Sequence, residues 1–118
     1  MKKKILVADD DAAIVDAIQL ILEDAGYDVQ TTINGEDVMH MQNNFPDLIL
    51  LDIWMSGQDG RTICQYLKKQ ESTKYIPVIM ISANKDTEQI AKTSGANDFI
   101  TKPFEMNDLL KKVAQYTS

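Results

Sequence analysis

A chain of 118 residues, 44% hydrophobic and 25% charged, fits one domain with a real core, and it contains no apolar stretch near the ~20 residues a membrane span needs. The net charge of −6 argues against nucleic acid as a direct partner, and the only basic run, Lys2-Lys3-Lys4, reads as a solvated flank of an apolar strand. A single cysteine, Cys64, excludes an internal disulfide or a cysteine-rich metal site and reads as a small core hydrophobe; the first residues lack the apolar stretch of a secretory signal, so the cytoplasm is the expected compartment.

Lys4 to Ala8 predicts a first strand, and Ile14, Ile18, Ile21, Leu22 and Ala25 then recur at helical spacing up to Gly26, a natural stop. Tyr27 to Thr32 is rich in strand formers, "NGEDVMHM" begins a second helix, and "FPDLILLD" supplies a turn and a third apolar strand. A third helix is expected from about Asp59 to Lys69. "IPVIMIS" reads as a strand buried on both faces. A short helix follows from about Thr87 to Ser94, where Asp86 is placed to cap and Gln89 sits at the third helical position; it offers only Ile90 and Ala91 to a core. "DFIT" is the fifth strand, and Met106, Leu109, Leu110 and Val113 give the last helix its apolar stripe.

Five strand-then-helix units without a linker imply an α/β domain over residues 1–118, a doubly wound five-stranded parallel sheet covered on both faces. The usual strand order is 2-1-3-4-5, with ligands at the carboxyl ends of strands one and three. The polar residues fall at that edge. Asp9 and Asp10 follow strand one, Asp52 ends strand three, Ser82 ends strand four, and Lys102 ends strand five before Pro103. Singly, each has an ordinary explanation as a cap, turn former or surface charge.

Together they pose a physical problem. Two carboxylates about 4 Å apart repel by roughly 4 kcal/mol at an effective dielectric near 20. A hard divalent cation such as Mg2+ in an all-oxygen pocket would remove that repulsion, and Mg2+ held by few carboxylates points onward to phosphoryl chemistry. Asp11 is expected to face away as a helix cap.

The segments "ILVADDD", "PDLILLDIWMSGQDG", "PVIMISA" and "FITKPF", in this order, resemble the receiver domain of two-component response regulators over essentially the whole chain. The resemblance implies a flavodoxin-like three-layer fold with Asp52 as phosphoacceptor, and Mg2+ held by Asp9, Asp10, Asp52 and the backbone carbonyl of Trp54. It gives Ser82 and Lys102 as partners of the phosphoryl group, Ser82 and Phe99 as the switch pair, and a Lys102–Pro103 peptide that is often cis. Ser56 stands where the family commonly has proline, which implies a less rigid loop. Phe99, lacking a hydroxyl, should favour a buried rotamer more than tyrosine would. Trp54 and Asn84 lie where the family tunes phosphoryl lifetime.

The implied function is a switch rather than an enzyme acting on a separate substrate. Its phosphodonor would be a sensor histidine kinase or phosphotransfer protein. Its output would run through a downstream domain, an effector protein, or a receiver dimer across the fourth helix, fifth strand and fifth helix. The rival reading is a Mg2+-dependent aspartyl-phosphate phosphatase or phosphotransferase. Such enzymes commonly carry a second acid two residues after the nucleophile, where this chain has Trp54. A flavodoxin-like electron carrier fits the fold but not the acidic pocket, which would repel a flavin phosphate. His40 reads as a solvated helix residue, not a phosphohistidine.

Overall fold

The apolar runs become strands because each is buried on both sides. The computed structural model describes residues 2–55 and 57–118. Its strands β1 (Lys4–Ala8), β2 (Asp28–Thr32), β3 (Leu48–Asp52), β4 (Val78–Ser82) and β5 (Asp98–Thr101) form one parallel sheet in the order β2-β1-β3-β4-β5. The crossovers are α1 (Ala12–Asp24), α2 (Gly35–Met39), α3 (Gly60–Lys69) and α4 (Thr87–Ser94), and α5 (Met106–Thr117) follows the last strand. This is the order and class expected from the sequence.

Strand alternation divides the core into two layers. Ile5, Val7, Leu48, Leu50, Ile79 and Ile81 face Val15, Ile18 and Leu22 of α1 and Leu109 and Val113 of α5. Leu6, Ala8, Ile49, Leu51, Val78 and Met80 face Val38 of α2, Ile63, Cys64 and Leu67 of α3, and Ala91 of α4. Cys64 is a buried member of that second layer, and burial pushes its thiol up to about 11, so it packs as a hydrophobe.

Helix ends follow side-chain chemistry. The Asp11 carboxylate accepts from the amides of Ala13 and Ile14 at 3.1 and 3.3 Å, and Gly26, at φ +99°, turns the chain out of α1. Asp59 caps α3 by accepting from the Arg61 amide at 2.9 Å. At α4 the expected cap is corrected: Asp86 makes no side-chain capping bond, and Asn84 organises the entry instead. Its side chain accepts from the Asp86 amide, and its carbonyl accepts from the Thr87 hydroxyl. The buried stripe of α4 is Thr87, Ala91 and Ser94, with Ile90 only half-buried, so this helix is anchored mostly by small and polar groups.

Two features were not read from the sequence. Helix α2 is a five-residue stub whose Asn34 cap accepts from the Glu36 amide at 2.9 Å. His40 ends it, exposed, with Nδ1 3.3 Å from Glu36 Oε2. A small antiparallel ribbon pairs Trp54–Met55 with Gln58–Asp59 just beyond β3. The expectation for the loop at Ser56 lies outside the described residues.

Candidate functional site

Parallel register brings the strand ends to one edge: Ala8 pairs with Leu51, Asp52 with Ile81, and Ser82 with Thr101. Residues at or one past those ends therefore share a crevice. Asp9 is fully buried there, Asp52 is 8% exposed, and Asp10 is exposed. One carboxylate oxygen from each lies within 4.8 Å of the other two. At that spacing each ionised pair repels by roughly 3.5 kcal/mol at an effective dielectric near 20.

The protein offsets part of this itself. Asp9 Oδ1 accepts from the Asp11 amide at 3.0 Å, and Asp9 Oδ2 accepts from Lys102 Nζ at 3.0 Å, with Asp52 Oδ1 3.7 Å from the same ammonium. Burial opposes the charge on Lys102, but its bond to Asp9 and the Asp52 charge outweigh this and raise its pKa. Asp52 fares differently. Burial first, then the charges of Asp9 and Asp10, push its carboxyl up to about 6 against the pull of Lys102. The Lys102 charge does not outweigh burial and the neighbouring carboxylates at Asp52. The donors are all oxygen, clustered and partly desolvated, which suits a hard divalent ion.

The other strand-end residues lie around this pocket. Ser82 ends β4 half-buried; its hydroxyl oxygen accepts from the Asn84 amide, and its carbonyl accepts from the Lys102 amide at 2.9 Å, which ties the ends of β4 and β5 together. Trp54, at 59% exposure, stands on the ribbon opposite Asp59. Phe99 is half-buried on β5, with Lys112 Nζ 4.6 Å from its ring centre. The Lys102–Pro103 peptide is cis. His40 is not part of this edge in chain or register.

Sequence reasoning passed over two supporting residues. A Cβ on Gly60 would sit 2.3 Å from the Asp52 carbonyl oxygen and 2.9 Å from Ile53 Cα, so only glycine lets α3 start against the Asp52 backbone. The available signal was a glycine opening a helix directly after its Asp59 cap, where stronger helix formers are available. Gln58 donates to Glu36 Oε1 at 3.0 Å and packs against Gly35, fixing the ribbon to α2. No local pattern marks that contact.

The family model of the response regulator receiver domain matches residues 5–114. The DNA-binding dual master transcriptional regulator RpaA of Synechocystis sp. is 41% identical over 113 residues, which cover 93% of this chain and 47% of RpaA; this chain thus spans about half of that relative. A candidate response regulator of Chloroflexus aurantiacus superposes with a TM-score of 0.93 at 29% identity, over 99% of this chain and 98% of that one. The chemotaxis response regulator CheY4 of Vibrio cholerae does so with a TM-score of 0.89 at 28% identity, over 98% and 99% of the two chains. No helix among the described residues is long and apolar enough to cross a membrane. Sheet order, acidic edge and a sequence match running from Ile5 to Ala114 lead to one conclusion: the chain belongs to the receiver domain family of two-component response regulators.

Proposed function

We propose that residues 1–118 act as one phosphoacceptor switch in the cytoplasm, in which Asp52 takes a phosphoryl group from the phosphohistidine of a sensor histidine kinase or phosphotransfer protein. The observation that carries this reading is the placement of Asp52, buried, beside two further carboxylates and within 3.7 Å of Lys102 Nζ. Mg2+, held by Asp9, Asp10, Asp52 and the Trp54 carbonyl, would supply charge neutralisation on the transferred oxygens. An Asp52 oxygen attacks phosphorus in line while the P–N bond to imidazole breaks and its electrons return to the ring. Lys102 neutralises developing charge on a phosphoryl oxygen, as a loose transition state requires. The Ser82 hydroxyl accepts from the Asn84 amide and still has its own proton to donate to the phosphoryl group. Water then hydrolyses the acyl phosphate and resets the switch.

Hydrogen bonds to charged groups contribute roughly 1.5–3 kcal/mol each, so Ser82 and Lys102 together supply about 3–6 kcal/mol before ordering costs. Swinging an equilibrium from 1:99 to 99:1 takes about 5.5 kcal/mol. The weakly anchored α4 is the element such a bias moves, with Phe99 turning inward as Ser82 shifts. The altered face of α4, β5 and α5 then addresses an output domain, an effector or a second receiver.

Acetyl phosphate with Mg2+ should add one phosphoryl group, detected by intact-mass measurement, and Asp52→Asn should prevent it. Undiminished labelling of that variant would overturn the assignment. In parallel, Mg2+ titration should change Trp54 fluorescence, and Asp10→Ala should weaken the response.

A further inference from the structure

Strand β5 is an edge of the sheet, so one side of its backbone has no partner strand. Lys112 of α5 reaches round that edge. Its ammonium donates to the Phe99 carbonyl at 2.6 Å and to Asp98 Oδ1 at 2.8 Å, and lies 4.6 Å from the centre of the Phe99 ring. Tyr116 closes the far side of the same carboxylate, its hydroxyl 3.0 Å from Asp98 Oδ2. Burial works against the Asp98 charge, but the bonds from Lys112, the Phe99 amide and Tyr116 outweigh it and hold the carboxyl below its ordinary value. Lys112 is thus fixed by a carboxylate and a carbonyl, and the ring lies under a positioned cation.

The ring has somewhere else to go. Between α4 and β5 lies a solvent-open cleft of about 210 Å³ bordered by Ala91 and Ala96, by the longer Glu88 and Lys92, and by Phe99 itself. The two alanines leave room for the ring, already half-buried against the core layer of Ala91, to turn further inward. The outward position instead gains from the cation over the ring face.

We propose that Lys112 is a latch: it holds the Phe99 ring half-buried at the β5 edge, and its removal lets the ring turn further into the α4–β5 cleft without phosphorylation. The proposal rests on the reading that Phe99 turns inward when Asp52 is phosphorylated, and it adds the residue that opposes the turn. Lys112 is a positioning residue, since it acts through Phe99 and does not touch the acidic pocket. Lost cation–π attraction at a partly exposed site raises the inward population about two- to fivefold.

The chain has three phenylalanines, so ring-13C-labelled phenylalanine gives a spectrum simple enough to assign. The probe of the phosphorylated state is beryllofluoride with Mg2+. Without it, K112M should move the Phe99 ring resonances toward the positions that beryllofluoride produces in the wild type, while K112R, which keeps the cation, should leave them in place. If beryllofluoride shifts wild-type Phe99 and K112M does not, the latch is wrong and the switch reading survives. If K112M shifts Phe99 while beryllofluoride does not, holding by Lys112 stands and the switch reading fails. An equal shift in K112R and K112M would mean that the charge is irrelevant, which also overturns the latch. Asp98→Asn, which frees Lys112 without altering it, should give a smaller shift in the same direction and serves if K112M does not fold.

Discussion

Replacing Asp52 with asparagine should stabilise the metal-free protein, and by an amount that depends on pH. The folded carboxyl titrates at about 6 against an ordinary 3.8, a difference that corresponds to about 3 kcal/mol. The sign follows from linkage. A folded-state pKa above the unfolded value makes the protonated form the favoured one in the fold, so the contribution is fully present below pH 3.8 and is lost as pH rises through 6. The ionised group therefore costs the fold about 3 kcal/mol at pH 8 and about 1 kcal/mol at pH 4.5. Asparagine keeps the shape and removes the titration, and its own desolvation is the same at both pH values. The advantage of Asp52→Asn over the wild type should thus grow by about 2 kcal/mol between pH 4.5 and 8, a change of roughly 6–12 °C in the difference between melting temperatures for a domain of this size. Thermal melts in EDTA at the two pH values measure it, and saturating Mg2+ at pH 8 should shrink the difference by stabilising the wild type, with its full carboxylate set, more than the variant. A wild-type–variant gap that is the same at both pH values in EDTA would refute the electrostatic account of the pocket.

Gly60→Ala should lose about 2 kcal/mol or more in urea unfolding, because the new Cβ meets the backbone of Asp52 and Ile53; a gain of about 1 kcal/mol, the normal effect of alanine in a helix, would show that α3 can retreat freely. Lys102→Met should cost roughly 3 kcal/mol without metal, since it strips the buried Asp9 of its partner, and much less with Mg2+ present; denaturation with and without the ion distinguishes the two. Ser94→Ala should raise stability by about 1 kcal/mol, because the buried Ser94 hydroxyl has no hydrogen-bond partner among the described residues; a loss on chemical denaturation would contradict that.

What could be read from the sequence was whatever a period or a special residue writes locally. Strands β1, β3 and β4 stood out because burial on both faces leaves unbroken apolar runs, and the start of α1 and its stop at Gly26 rest on chemistry confined to a few neighbours. Asp9, Asp52, Ser82 and Lys102 were legible as a set for the same reason: once the strand ends are known, parallel register brings their neighbours together. Contacts without a local signature were not. The ribbon at Trp54 and Gln58 is too short to have a period, Asn84 displaced Asp86 because two polar residues compete for one helix entry, and α2 shrank to five residues because only Gly35 and Val38 of it are buried. Nor does any spacing reveal that Lys102 bonds to Asp9 or that Lys112 wraps an edge strand to reach Phe99.

The Lys102–Asp9 contact has a consequence for the order in which the chain assembles. Its partners are 93 residues apart, whereas the β2-β1-β3 part of the sheet is complete once residue 52 exists. During synthesis from the amino terminus, the three carboxylates can therefore be brought together long before their lysine has been made. Closing that edge early gathers like charges before the Lys102 ammonium can offset them, and the loop that must close to bring Lys102 in is among the longest available. The acidic corner is thus a brake on premature docking of the first half, released when β5 arrives or when a cation is captured from solution. On this view a nascent chain in magnesium-rich surroundings folds its first three strands sooner than one kept in chelator.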